Sequence, residues 1–234
     1  FEAEKEAGRS LWAGLMEPPH KSTRHGWGAQ EWLKDSSSTD VAIHAGKIIS
    51  TFYQCGSAYR LDPFTLEQFG TESWVPLDGI SAHCKVDLAT GELMFFNYSK
   101  HAPYMHYGVV GADNKLKHYI PVPLPGPRLP HDMAFTENYT ILNDMPLYWN
   151  EELLEKRLHV VQFHPDQKTR FAIIPRHGQP EDIRWFEAEP TYTLHWLNAW
   201  EEGDEIILDG YYQEEPMPKS YPNAPEGLER MMAY

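Results

Sequence analysis

The sequence is poor in the features that would assign it quickly. It holds two cysteines, Cys55 and Cys84, and no Cys-x-x-Cys pair. Neither a disulfide framework nor a thiolate zinc site can be built from them. No apolar run approaches the roughly 18 residues of a membrane-spanning helix. No targeting leader is legible, although the chain opens on Phe1 rather than Met. With its cysteines read as buried thiols, the expected compartment is the cytoplasm. Positive charge is scarce and scattered: 20 Lys and Arg stand against 34 Asp and Glu, a formal net charge of −14. A nucleic-acid partner wants clustered cations on one face, so no nucleic-acid partner is expected. Also missing are any βαβ alternation and any tidy internal repeat of about 40–50 residues.

What is present is a globular composition, 41% hydrophobic and 13% aromatic over 234 residues, enough to bury a sizeable core. The ends carry helical signals, at 2–16 (stopped by Pro18 and Pro19), 29–34 and 226–232, with a short helical insert predicted at 150–156 and a Pro-rich tail at 214–225. Between them the pattern is β. Runs rich in β-branched and aromatic residues alternate with turn residues. The predicted strands are 41–44, 47–54, 58–61, 66–69, 82–86, 93–98, 104–110, 116–122, 131–136, 139–144, 159–163, 171–175, 183–187, 191–200 and 205–212. Strands joined by short turns make antiparallel sheet, as sandwich, barrel or propeller. A long succession of hairpins favours a propeller of four-stranded blades.

Twelve histidines are present, and most read as surface or core residues. Three differ in context. His83 opens an Ala-His-Cys-Lys-Val-Asp strand, His131 follows Pro130 at a strand start, and His195 lies between Leu194 and Trp196 in an apolar strand. Neutral imidazole suits iron, zinc and copper. A set of histidines without a carboxylate leaves the metal's charge uncancelled, and such a site polarises water or binds O2, according to the metal and its open positions.

Three stretches carry a resemblance: Ile80-Ser81-Ala82-His83-Cys84-Lys85-Val86-Asp87 with its continuation through Gly91-Glu92-Leu93; Pro130-His131-Asp132-Met133-Ala134-Phe135-Thr136-Glu137-Asn138-Tyr139; and Leu194-His195-Trp196-Leu197-Asn198-Ala199-Trp200-Glu201. With His44-Ala45-Gly46-Lys47 and Gly56-Ser57-Ala58-Tyr59-Arg60-Leu61-Asp62-Pro63 upstream, they resemble, in order and spacing, the carotenoid cleavage oxygenases, a family that includes lignostilbene dioxygenases. The resemblance is strongest over 41–210 and treats 1–234 as one incomplete domain. It implies an all-β fold, part of a seven-bladed β-propeller with short helical inserts. It implies Fe(2+) on the axis, held by four histidines of which His83, His131 and His195 are three. It also implies cleavage of a conjugated C=C bond of an apolar carotenoid, apocarotenoid or stilbene-like substrate by O2, giving two carbonyl products. No catalytic residue beyond the ligands and no organic cofactor is expected, and peripheral membrane contact is left open.

Three departures bear on that reading. The fourth histidine would lie beyond Tyr234, so the chain reads as a fragment. Gln54 stands where the family places a Glu that accepts the distal N–H of a ligand histidine. Tyr53 stands where lignostilbene-type members place a phenol-binding Lys, which turns the substrate expectation away from stilbenes; Phe135 joins it as a pocket-lining candidate. Two other readings stay open. One is a three-histidine zinc hydrolase, with Asp132 as its nearest general base. The other is a catalytically inactive propeller module.

Overall fold

The structure, a computed structural model, describes residues 37–149 and 161–213 together with Asp35, Glu152 and Pro216. The helices expected at 2–16, 29–34, 150–156 and 226–232, and the tail at 214–225, lie outside those residues, apart from Glu152 and Pro216.

Strands β1 (Asp40–His44), β2 (Lys47–Thr51), β3 (Tyr59–Leu61) and β4 (Gln68–Thr71) form one antiparallel sheet in chain order. Strands β5 (Lys85–Val86), β6 (Leu93–Tyr98), β7 (Met105–Val110) and β8 (Leu116–Pro121) form a second. A third follows, with β9 (Ala134–Phe135), β10 (Tyr139–Asp144), β13 (Thr169–Pro175) and β14 (Arg184–Ala188) paired in that order. Its middle connection folds into a small hairpin of β11 (Leu147–Trp149) and β12 (Val161–Phe163). Strands β15 (Trp196–Glu202) and β16 (Glu205–Gly210) open a fourth unit. The first strands of neighbouring sheets lie side by side, β1 against β5 and β9 against β15. Meandering sheets whose first strands neighbour one another around a common line are successive blades of a propeller. The expected all-β propeller is therefore what the chain forms. Among the described residues a 3-10 turn lies at Pro180–Asp182, and no helix is long and apolar enough to cross a membrane.

The local chemistry explains the blades. The first hairpin closes through Ala45 and Gly46, both at positive φ (47° and 75°), the twist a two-residue loop needs to match its strands. Strand β6 is buried along its whole length. Because successive strand side chains point to opposite faces, it feeds two cores. Met94, Phe96 and Tyr98 face the third blade, packing in one cluster with Leu142, Ala172 and Ile174. Leu93 and Phe95 face the first blade, in a cluster with Ile49, Ala58 and Ile80. Gly108 lies directly across from Phe95, and a Cβ there would sit 2.3 Å from the Phe95 ring; its lack of a side chain is what lets that ring lie over β7.

Polar bonds lock the second blade to the third. The buried Tyr107 hydroxyl accepts from Thr140 Oγ1 at 2.7 Å and donates to the Arg176 carbonyl at 3.1 Å. Tyr107→Phe strands both partners, and an unsatisfied buried polar group costs about 1–3 kcal/mol. Chemical denaturation is expected to show a loss of about 2 kcal/mol, with the blade structure intact in the folded state.

Candidate metal centre

Each of the three singled-out histidines stands at the entry of an innermost strand. His83 precedes β5, His131 precedes β9 and His195 precedes β15. First strands of a propeller converge on its axis, so residues at this one station of three blades converge too. His83 and His131 were expected within strands, as was His195. Instead, the strands begin only at Lys85, Ala134 and Trp196. Ahead of β15, side-chain bonds replace the ladder: Thr191 and Thr193 hydroxyls donate to the Gln213 and Tyr211 carbonyls at 3.0 and 3.1 Å. His83 sits in the left-handed region, φ 58°, a costly conformation for a side-chain-bearing residue that collects at functional sites.

The geometry is tight. His83 Nε2 lies 3.1 Å from His131 Nε2 and 3.3 Å from His195 Nε2. Ligand atoms of the three are all within 4.8 Å of one another. Metal–nitrogen bonds of about 2.1 Å at right-angled to tetrahedral geometry put ligand nitrogens roughly 3.0–3.4 Å apart, the spacing of His83 Nε2 from each of the other two. Three facing imidazole nitrogens cannot satisfy one another with protons, since a neutral ring has a single N–H. A cation between them would. Burial, with the neighbouring His83 and His195 adding to it, pushes the His131 pKa down to about 4, so this ring is neutral near pH 7, the form that binds metal. The residues thus fit a metal such as iron(II), with His83 and His131 half-buried and His195 exposed.

Two carboxylates frame the cluster. Asp132 is 2% exposed. Its Oδ1 pairs with Lys85 Nζ at 2.7 Å and accepts the Met133 N–H at 2.7 Å. Its Oδ2 accepts the Trp196 N–H at 3.1 Å, and its carbonyl accepts from Asn143 Nδ2 at 2.9 Å. One side chain therefore ties the segments that follow His83, His131 and His195. Asp132, considered above as a general base, is committed to these bonds. Asp40, at the start of β1, accepts from His83 Nδ1 at 2.8 Å through Oδ2. Sequence reading missed Asp40. Its station, at the entry of the first blade's inner strand as the histidines are in the next three, shows only once the blades are laid side by side.

The remaining candidates divide. Tyr53 lies beside the cluster, its ring 6.0 Å from that of His131, and its carbonyl is held by Tyr98 Oη at 2.6 Å and Ser81 Oγ at 3.1 Å. Gln54 is fully buried, yet neither atom of its amide has a hydrogen-bond partner, so the bond expected from it to a ligand histidine is not made. Phe135, half-buried, packs against the main core with the Arg176 guanidinium 5.6 Å from its ring centre. Both cysteines are buried thiols outside any disulfide. Burial pushes the Cys84 thiol up to about 12 and the Cys55 thiol up as well, which leaves them inert.

Comparison with known proteins places this arrangement. The family model described as RPE65, retinal pigment epithelial membrane protein, matches residues 1–231. The chain is 38% identical over 180 residues to carotenoid 9,10(9′,10′)-cleavage dioxygenase 1 of Arabidopsis thaliana, covering 74% of this chain and 33% of that protein. It is 31% identical over 230 residues to isoeugenol monooxygenase of Pseudomonas putida, covering 96% of this chain and 47% of that one. Among solved structures, the lignostilbene dioxygenase of Pseudomonas brassicacearum superposes with a TM-score of 0.71 at 26% identity, covering 89% of this chain and 44% of that one. The chain thus spans less than half the length of the relatives it matches.

Proposed function

The chain belongs to the RPE65/carotenoid cleavage oxygenase family, and on that premise we propose that it carries three of the metal ligands of a non-haem iron(II) oxygenase that splits a conjugated C=C bond with O2 into two carbonyl products. The observation that carries the proposal is the triangle of Nε2 atoms at His83, His131 and His195. Bound there, iron(II) would supply the electrons that let O2 react with an alkene. The chain's own residues present three imidazole donors from the entries of three successive blades. The pairing of Asp132 with Lys85 keeps a buried carboxylate out of the ligand set.

The substrate class follows from Tyr53. A tyrosine hydroxyl can hydrogen-bond but brings no positive charge at neutral pH, so a phenolate gains no ion pair there. This favours neutral apolar alkenes of the carotenoid or apocarotenoid kind over phenolic stilbenes. The zinc-hydrolase reading is the weaker one, because its nominated base, Asp132, has both oxygens engaged by structural donors.

The test is direct. The full-length protein, loaded with iron(II), is incubated with an apocarotenal, isoeugenol and a hydroxystilbene under air and under nitrogen. Paired carbonyl products are expected by mass spectrometry, under air alone, with the apocarotenal turned over most efficiently. No cleavage of any of the three by iron-loaded protein, or O2-independent hydrolytic activity restored by zinc, overturns the proposal.

A further inference from the structure

We infer that Asp40 is a positioning residue for the metal centre: its carboxylate holds the His83 imidazole in the one tautomer and orientation that directs a free Nε2 lone pair at the metal position. The inference rests on the metal-centre reading above and deepens it. Asp40 Oδ2 stands 2.8 Å from His83 Nδ1, while His83 Nε2 is the atom facing His131 and His195. A neutral imidazole keeps one N–H, and a carboxylate only accepts, so the proton belongs on Nδ1. Nε2 is then unprotonated where a cation needs it. Were the proton on Nε2, it would point into the triangle and Nδ1 would oppose Asp40 lone pair to lone pair.

The carboxylate is itself held. Its Oδ1 accepts the Val41 N–H at 2.8 Å, and the Asp40 carbonyl accepts from Thr51 Oγ1 at 3.2 Å. Asp40 is also paired with Thr51 in the β1–β2 ladder. The first blade thus reaches across to a histidine of the second, whose backbone is in the left-handed region and needs an outside restraint to stay there. A carboxylate on the far nitrogen also makes the ligand more basic, and loss of such a partner typically costs 10- to 100-fold in metal affinity. Gln54, the uncharged residue expected to serve this purpose, makes no hydrogen bond; Asp40 supplies the sole carboxylate bonded to a cluster histidine among the described residues.

The experiment titrates the full-length protein anaerobically with cobalt(II) and iron(II) against a chelator, in wild type, Asp40→Asn and Asp40→Ala, with melting of each metal-free form alongside. Asp40→Ala is expected to bind metal about 10- to 100-fold more weakly and to alter the cobalt(II) visible absorption. Asp40→Asn keeps the shape without the charge. It is expected to melt like wild type while still losing affinity and shifting the band. Wild-type affinity and spectrum in both variants overturn the inference alone. So does an Asp40→Ala defect that tracks lost metal-free stability while Asp40→Asn behaves as wild type. A wild-type protein that binds neither metal overturns the metal-centre reading, and this inference with it.

Discussion

Replacing any one of His83, His131 or His195 with alanine is expected to abolish alkene cleavage and to weaken iron(II) or cobalt(II) binding by about 100-fold or more. The magnitude follows from the ligand count. A fully formed protein metal site holds its ion with roughly 10–16 kcal/mol, so one ligand of four is worth about 3 kcal/mol, a factor above a hundred. The substitutions separate chemistry from folding because the three rings differ in what they touch. Among the described residues His195 hydrogen-bonds only within the histidine cluster, so its loss strands no structural partner, and such a substitution usually changes stability by no more than about 0.5 kcal/mol. The metal-free His195→Ala protein should therefore melt within a few degrees of wild type while losing metal and turnover together. His131 is held neutral by burial, and its removal leaves a small void among packed neighbours, so its variant should lose some stability as well. Any one of the three variants that retains stoichiometric iron and turnover refutes the shared site.

Much of this is legible in the sequence, for identifiable reasons. Strands β6 and β10 fall at the predicted limits, 93–98 and 139–144. Their apolar residues are dense, and turn residues bound them on both sides. The inner strands β5 and β9 are far shorter than predicted, two residues each. Local propensity reads through Ala82–Val86 and His131–Thr136 as continuous strand. Near the axis, however, tertiary bonds win: the turn of His83 into positive φ and the Asp132 bonds replace ladder pairing. Strand β11 was missed because Leu147–Trp149 is short and borders a segment with a helical pattern; its partner, Phe163 opposite Leu147, is not visible from local pattern. The histidine trio was visible as three motifs. Asp40 was not, since nothing in a single sequence pairs residue 40 with residue 83 until the blades are laid side by side.

Asp132→Ala is expected to have the second-largest effect, and its character tells a structural carboxylate from a catalytic one. Three donors converge on this side chain: the Lys85 ammonium, the Met133 N–H and the Trp196 N–H. Truncation leaves the two N–H groups short of a partner and a half-buried lysine short of its counter-ion. Lys85 keeps partial solvent access, 28% of its side chain, which moderates the loss below that of a fully buried pair. A cost of about 3 kcal/mol in metal-free stability is expected. Because the lost bonds tie the segments behind His83, His131 and His195, the triangle should also loosen. Metal affinity is then expected to fall about tenfold or more although no ligand has been touched, as for other outer partners of metal ligands. Asp132→Asn, which keeps one acceptor oxygen, should recover part of both losses. A general base would behave otherwise. Its removal would leave denaturation midpoint and metal content at wild-type values while the rate alone collapsed. Paired denaturation and metal-titration curves for the two variants therefore decide whether Asp132 holds the blades together or moves a proton.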